Sequence, residues 1–117
     1  MSEIRLYHNP GCSKSRGALE ILQEKQAQVE VIEYLKTPPN RADLEEILDL
    51  LSDAPEALVR QDKNFKSLGL DPEQYQSAQD VTSLLLEHPE LMQRPIAICD
   101  GLALIARPSD RVLELLS

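Results

Sequence analysis

Cysteine is scarce in this chain: Cys12 and Cys99 are the only two among 117 residues, and they lie far apart. Two such residues cannot build the disulfide framework of a small secreted scaffold, so the chain reads as one from a reducing, cytosolic compartment. Aromatic residues are only 3%, which leaves Leu, Ile, Val and Ala to fill the core. No apolar run approaches the ~20 residues that cross a bilayer. The N-terminus enters an alternating segment at once, without a signal-peptide pattern. The two cysteines and two histidines are too dispersed for metal-ligand spacing. No glycine-rich loop resembles a phosphate cradle or a nucleotide fingerprint. Basic residues are also in deficit, 12 against 20 acidic ones, giving a net charge of -8 and a pI near 4.7. That balance disfavours nucleic acid and anionic membrane as general partners. Any anion bound here must be drawn by a local basic cluster.

What is present suits one domain: 42% of the residues are apolar at a common domain length. Ile4 to Tyr7 alternates as a strand, Asn9-Pro10-Gly11 breaks it, and Ser13 to Glu24 reads as a helix with Ala18, Leu19 and Leu22 on one stripe. Val29 to Tyr34 is a second strand, so the first three elements form a crossover with parallel strands. After Thr37-Pro38-Pro39, Asn40 caps a helix carrying Leu44, Ile47, Leu48 and Leu51 at helical spacing. Pro55 to Arg60 and Asp80 to His88 are expected as further helices, with loop or short turns between them around Gly69 and Pro72. Ile96 to Cys99 and Leu102 to Ala106 flank Asp100-Gly101, a strong hairpin signal. A last helix, capped by Ser109, is expected to face the core with Val112, Leu113 and Leu116. The order is βαβ, a helical block, then ββα.

Chemistry concentrates in two places. Counting outward from the hairpin turn sets Arg94 opposite Arg107, each followed by proline. Like charges facing across a strand pair disfavour the fold, so the pair is either a site for a tetrahedral oxyanion, which guanidinium forks match, or two solvated surface charges. The second place is His8 to Arg16. Cys12 falls between a strand end and a helix start, where unpaired N–H groups and the helix dipole favour a thiolate. His8, if protonated, would add to this; otherwise it is the polar end of a strand. Lys14 and Arg16 bring positive charge into a first turn where cations oppose the dipole. Ser13 and Ser15 are either hydrogen-bond donors to the sulfur or ordinary helix-start residues. Cys99 lies in an apolar run and reads as a structural thiol. With Ser15 where a Cys-x-x-Cys motif would place its second thiol, whatever resolves an adduct on Cys12 must come from outside the chain.

Taken in order, Tyr7-His8-Asn9-Pro10-x-Cys12-Ser13-x-Ser15-Arg16, Tyr34-Leu35-x-Thr37-Pro38-Pro39, Arg94-Pro95-Ile96 and Arg107-Pro108 resemble the glutaredoxin-dependent arsenate reductases over nearly the whole chain. The resemblance implies an α/β, thioredoxin-like mixed sheet in one domain over residues 1–117, with a helical insertion over about 41–92. It implies that Cys12 attacks arsenate, helped by His8 and Ser15, and that Arg60, Arg94 and Arg107 bind the arsenate oxygens. It also implies a cis Arg94-Pro95 bond, no tightly bound cofactor, glutathione as co-substrate and glutaredoxin as partner in the cytoplasm. Gly11 stands where relatives often carry a larger residue, and Gln61 to Leu70 is slightly short. Two other functions compete: a thioredoxin-like stress regulator that binds RNA polymerase, and a glutathione-linked thiol exchanger with another substrate.

Overall fold

Alternation at the N-terminus forms β1 (Ile4–His8), and the segment behind the first helix forms β2 (Val29–Glu33), parallel to it. The hairpin supplies β3 (Ile96–Cys99) and β4 (Leu102–Ile105), with β3 antiparallel to β1. The sheet order is β2-β1-β3-β4, so β1 is paired on both sides. The structure, a computed structural model, describes residues 3–116.

The α-helices among the described residues are α1 (Ser13–Glu24), α2 (Arg41–Leu50), α3 (Lys63–Ser67) and α4 (Ala78–Glu87). Ile4, Leu6, Ala97 and Leu104 line one face of the sheet and pack on Ala18 and Leu22 of α1 and on Val112. Tyr7, Ile96, Ile98, Ala103 and Ile105 line the other face, under Leu44 and Ile47 of α2 and Val81 and Leu85 of α4. Each leucine buried in these layers contributes about 1.5–3 kcal/mol. The free edge of β4 is partly closed by the end of α2, where Leu51 bridges Ala103.

Local signals explain most of the elements. Asp100 and Gly101 both take positive φ, 51° and 78°, as a two-residue turn of the twist-matched type requires, and Cys99 faces Leu102 as counted. Asn40 caps α2 in a reciprocal capping box with Asp43. The fourth helix starts earlier than Asp80 because Ser77 accepts the Asp80 N–H and caps it. Lys63–Ser67 is a short helix where loop was expected; Asp62 caps it and Phe65 is its single buried anchor, too little for a periodic signal.

Two expectations fail for clear reasons. The helix expected over Pro55 to Arg60 is a 3-10 turn over Pro55–Leu58 only. Val59 is already extended and bridges Met92, with Arg60 N–H donating to the Leu91 carbonyl at 2.7 Å and Gln93 N–H to Leu58 at 2.7 Å. The last helix is also 3-10, over Ser109–Leu115. Its three-residue period puts Val112 and Leu115 toward the core, whereas Leu113 and Leu116 are 41% and 39% exposed. Ser109 does not cap it; its hydroxyl donates to the Lys14 carbonyl of α1 at 2.7 Å. Gly17 permits that approach, since a Cβ there would lie 2.9 Å from Ser109 Oγ.

Candidate active site

From the end of β1 the chain turns sharply into α1. Asn9 closes the turn twice, its carbonyl accepting the Cys12 N–H at 3.0 Å and its Oδ1 accepting the Gly11 N–H at 2.9 Å. Gly11 is outside the left-handed region, and a Cβ there would meet only Asn9 Oδ1, at 3.4 Å. Its small size is therefore not what shapes the loop. Cys12 is the N-cap of α1, with φ -104° and ψ 123°, and no acidic residue in the first turn competes for the helix N–H groups. The thiol is partly exposed. Burial pushes its pKa up, but the backbone N–H groups of Ser15 and Lys14 and the Arg94 guanidinium outweigh this and hold it below the ordinary thiol value. Lys14 and Arg16 themselves are exposed on the helix surface.

Beneath this turn, Ser15 is fully buried. Its Oγ accepts the Asn9 N–H at 3.0 Å and lies 2.7 Å from His8 Nδ1. Burial lowers the His8 pKa, partly opposed by Glu33, so the neutral ring is favoured at neutral pH. With the ring proton on Nε2, the Ser15 O–H donates to Nδ1 while the serine oxygen accepts the Asn9 N–H. His8 thus braces the Cys12 loop through Ser15.

The sheet register explains how distant residues reach this loop. His8 pairs with Glu33, Tyr7 with Ile96, and Ile96 with Ile105. Carried past the strand ends, the same register sets Tyr34, Asn9, Arg94 and Arg107 in one row across β2-β1-β3-β4. The Ala106 N–H donates to the Pro95 carbonyl at 2.9 Å, which supports the continuation. Arg107 Nη1 donates to the Arg94 carbonyl at 3.1 Å, so the facing arginines are joined side chain to backbone instead of charge to charge. Arg94-Pro95 is cis, as is Arg107-Pro108. Arg60 enters from the Val59–Met92 bridge, two residues from Arg94's own strand segment, and its Nη1 lies 3.5 Å from Asp62.

Three buried polar atoms lack a hydrogen-bond partner among the described residues: Tyr34 Oη, Gln93 Oε1 and Arg94 Nε. An orphaned buried group costs about 1–3 kcal/mol, so three at one end of one sheet are a sizeable local expense. Tyr34 is fully buried. Burial raises its pKa, while Arg94 and Arg60 lower it and Cys12 raises it. Of these, Arg94 comes near enough for a loose hydrogen bond to the phenol oxygen, short of good geometry, and the phenol O–H has no acceptor.

A model of the ArsC family matches residues 7–115. The chain belongs to the ArsC family. Its relatives include an arsenate reductase of Neisseria meningitidis, 38% identical over 96% of this chain and 97% of the relative. An arsenate reductase of Escherichia coli is 34% identical over 99% of this chain and 82% of its own length. Among solved structures, an arsenate reductase from Vibrio cholerae superposes with a TM-score of 0.87 at 35% identity, covering 97% of this chain and 98% of that one. The thioredoxin-like mixed α/β fold is thereby shown.

In this ArsC-family chain the expected site residues divide by position. Arg94 acts on Cys12 directly. Arg60 acts on Tyr34 through its charge while pairing with Asp62, and Arg107 anchors the Arg94 backbone with donors to spare. His8 and Ser15 lie under the loop. Cys99 sits at the far end of β3, five residues and about 17 Å along the strand from the Arg94 row. Tyr34 closes an apolar strand and so reads as core; its unpartnered buried hydroxyl sets it apart.

Proposed function

We propose that this chain is an arsenate reductase in which the Cys12 thiolate attacks arsenic, displacing one arsenate oxygen as water to give a thiol adduct. The reduction itself takes two electrons from two thiols, which leave as a disulfide while arsenic(V) becomes arsenic(III). The chain holds only one thiol in position for this. Cys99 is buried, its pKa raised by burial and by Asp100, and it lies well beyond the ~7 Å Cα separation that a disulfide tolerates. The reading therefore assigns the reducing thiols to glutathione and glutaredoxin, acting in the cytoplasm with no tightly bound cofactor. Arg94, with Arg60 and Arg107 beside it, would hold the oxyanion. This local cluster answers the overall negative charge.

The observation that carries this reading is a partly exposed free thiol, Cys12, at the N-cap of α1, where helix N–H groups and Arg94 favour the thiolate, in a chain whose curated relatives include arsenate reductases. The test is arsenate-dependent oxidation of NADPH, coupled through glutathione reductase, glutathione and glutaredoxin. Turnover in the wild type and none in Cys12→Ser is expected. No turnover with every coupling component active would refute the reading. Exchange with mixed glutathione disulfides alone would leave a thiol exchanger, and retention of RNA polymerase subunits would point to a regulator.

A further inference from the structure

We propose that Tyr34 is a further substrate-binding residue, its phenol O–H donating to an oxygen of the tetrahedral oxyanion that the arginines hold beside Cys12. The inference rests on the arsenate reading above and adds to it a neutral donor contributed by β2, on the opposite side of β1 from Arg94.

Geometry places the hydroxyl there. Tyr34 follows β2 directly, and the parallel register that pairs His8 with Glu33 sets it level with Asn9, in the row that ends with Arg94 and Arg107. Ligands of α/β sheets gather at the carboxyl ends of parallel strands, and this row lies at the carboxyl ends of β1 and β2. The ring is fully buried in the core cluster that also holds Leu44, Ile47 and Ile96, so packing restrains its orientation. Its hydroxyl is buried and unpartnered, and so is Arg94 Nε. Two buried donors without acceptors, on residues close enough to interact, are both satisfied by one acceptor-rich group between them. An oxyanion is such a group. Burial also keeps the phenol protonated at neutral pH, and therefore a donor.

A core tyrosine whose hydroxyl is merely tolerated makes the opposite prediction, and Tyr34→Phe separates the two because it keeps the ring and removes one oxygen. Protection of Cys12 from iodoacetamide by added arsenate is measured alongside the coupled turnover and the thermal midpoint. Tyr34→Phe should need at least about 10-fold more arsenate for equal protection and lose a similar factor in kcat/KM, the size expected for a hydrogen bond to a charged group. The thermal midpoint and the alkylation rate without arsenate should be unchanged or higher. Equal protection curves for wild type and Tyr34→Phe would overturn the proposal while leaving the arsenate reading intact. A wild type that arsenate neither protects nor serves as substrate would overturn both.

Discussion

Ser15→Ala is the most informative substitution in the loop, because the side chain is fully buried and carries two bonds. Removing Oγ orphans His8 Nδ1, which is buried, and the Asn9 N–H, which is only partly so. The first loss costs about 1–3 kcal/mol and the second, open to replacement by water, less. Together they come to about 1–4 kcal/mol. At ~2.1 cal/mol/K per residue of unfolding entropy, a chain of 117 residues has about 0.25 kcal/mol/K at its midpoint, so Tm should fall by about 4–16 °C. Differential scanning calorimetry or urea unfolding reads this directly. The same variant should raise the Cys12 pKa, because Asn9, which holds the Cys12 N–H, loses its own anchor. A double-mutant cycle with His8→Asn isolates the pair, and a coupling energy clearly above zero is expected. A Tm within about 2 °C of wild type, or zero coupling, would show that the His8–Ser15–Asn9 link does not brace the loop.

Three further outcomes follow from the same geometry. Gly17→Ala would set a Cβ 2.9 Å from Ser109 Oγ; against a helix-propensity gain of ~1 kcal/mol, overpacking of about 1–3 kcal/mol and loss of the Ser109–Lys14 bond should leave net destabilisation, seen as a lower urea midpoint. Gly11→Ala, with only an ordinary contact to Asn9, should keep stability and Cys12 reactivity, and a loss of either would contradict the loop geometry. Because the folded-state pKa of His8 is lowered, the unfolded chain binds more protons in the window below its ordinary value of about 6.5. The His8 contribution is therefore complete above that pH and is lost as pH falls through the folded pKa, and His8→Asn should flatten this part of the stability–pH curve.

Features written into neighbouring residues were legible in the sequence. Ser13–Glu24 carries its own stripe, Asn40 its capping signal, and Asp100-Gly101 its turn, from which the Arg94–Arg107 pairing followed. What could not be read depends on distant partners or on a change of helical period. Val59 leaves the expected helix because Met92, far along the chain, takes up its pairing, and this same bridge sets Arg60 beside the segment that leads to Arg94. Leu113 and Leu116 fit an α-helical stripe until the segment winds as 3-10. At the site, the position of Cys12 was readable from strand, turn and helix signals, but the roles of its neighbours were not. Whether His8 is charged depends on burial, and Tyr34 differs from a core tyrosine only by a hydroxyl without a partner.

The most direct test is the pH dependence of Cys12 alkylation by iodoacetamide, followed in a Cys99→Ala background so that a single thiol reports. A midpoint clearly below the ordinary thiol value of about 8.5, moving upward in Arg94→Ala, is the expected result. A midpoint at or above that value, unmoved by loss of Arg94, would contradict the activated thiolate at the centre of the proposed chemistry.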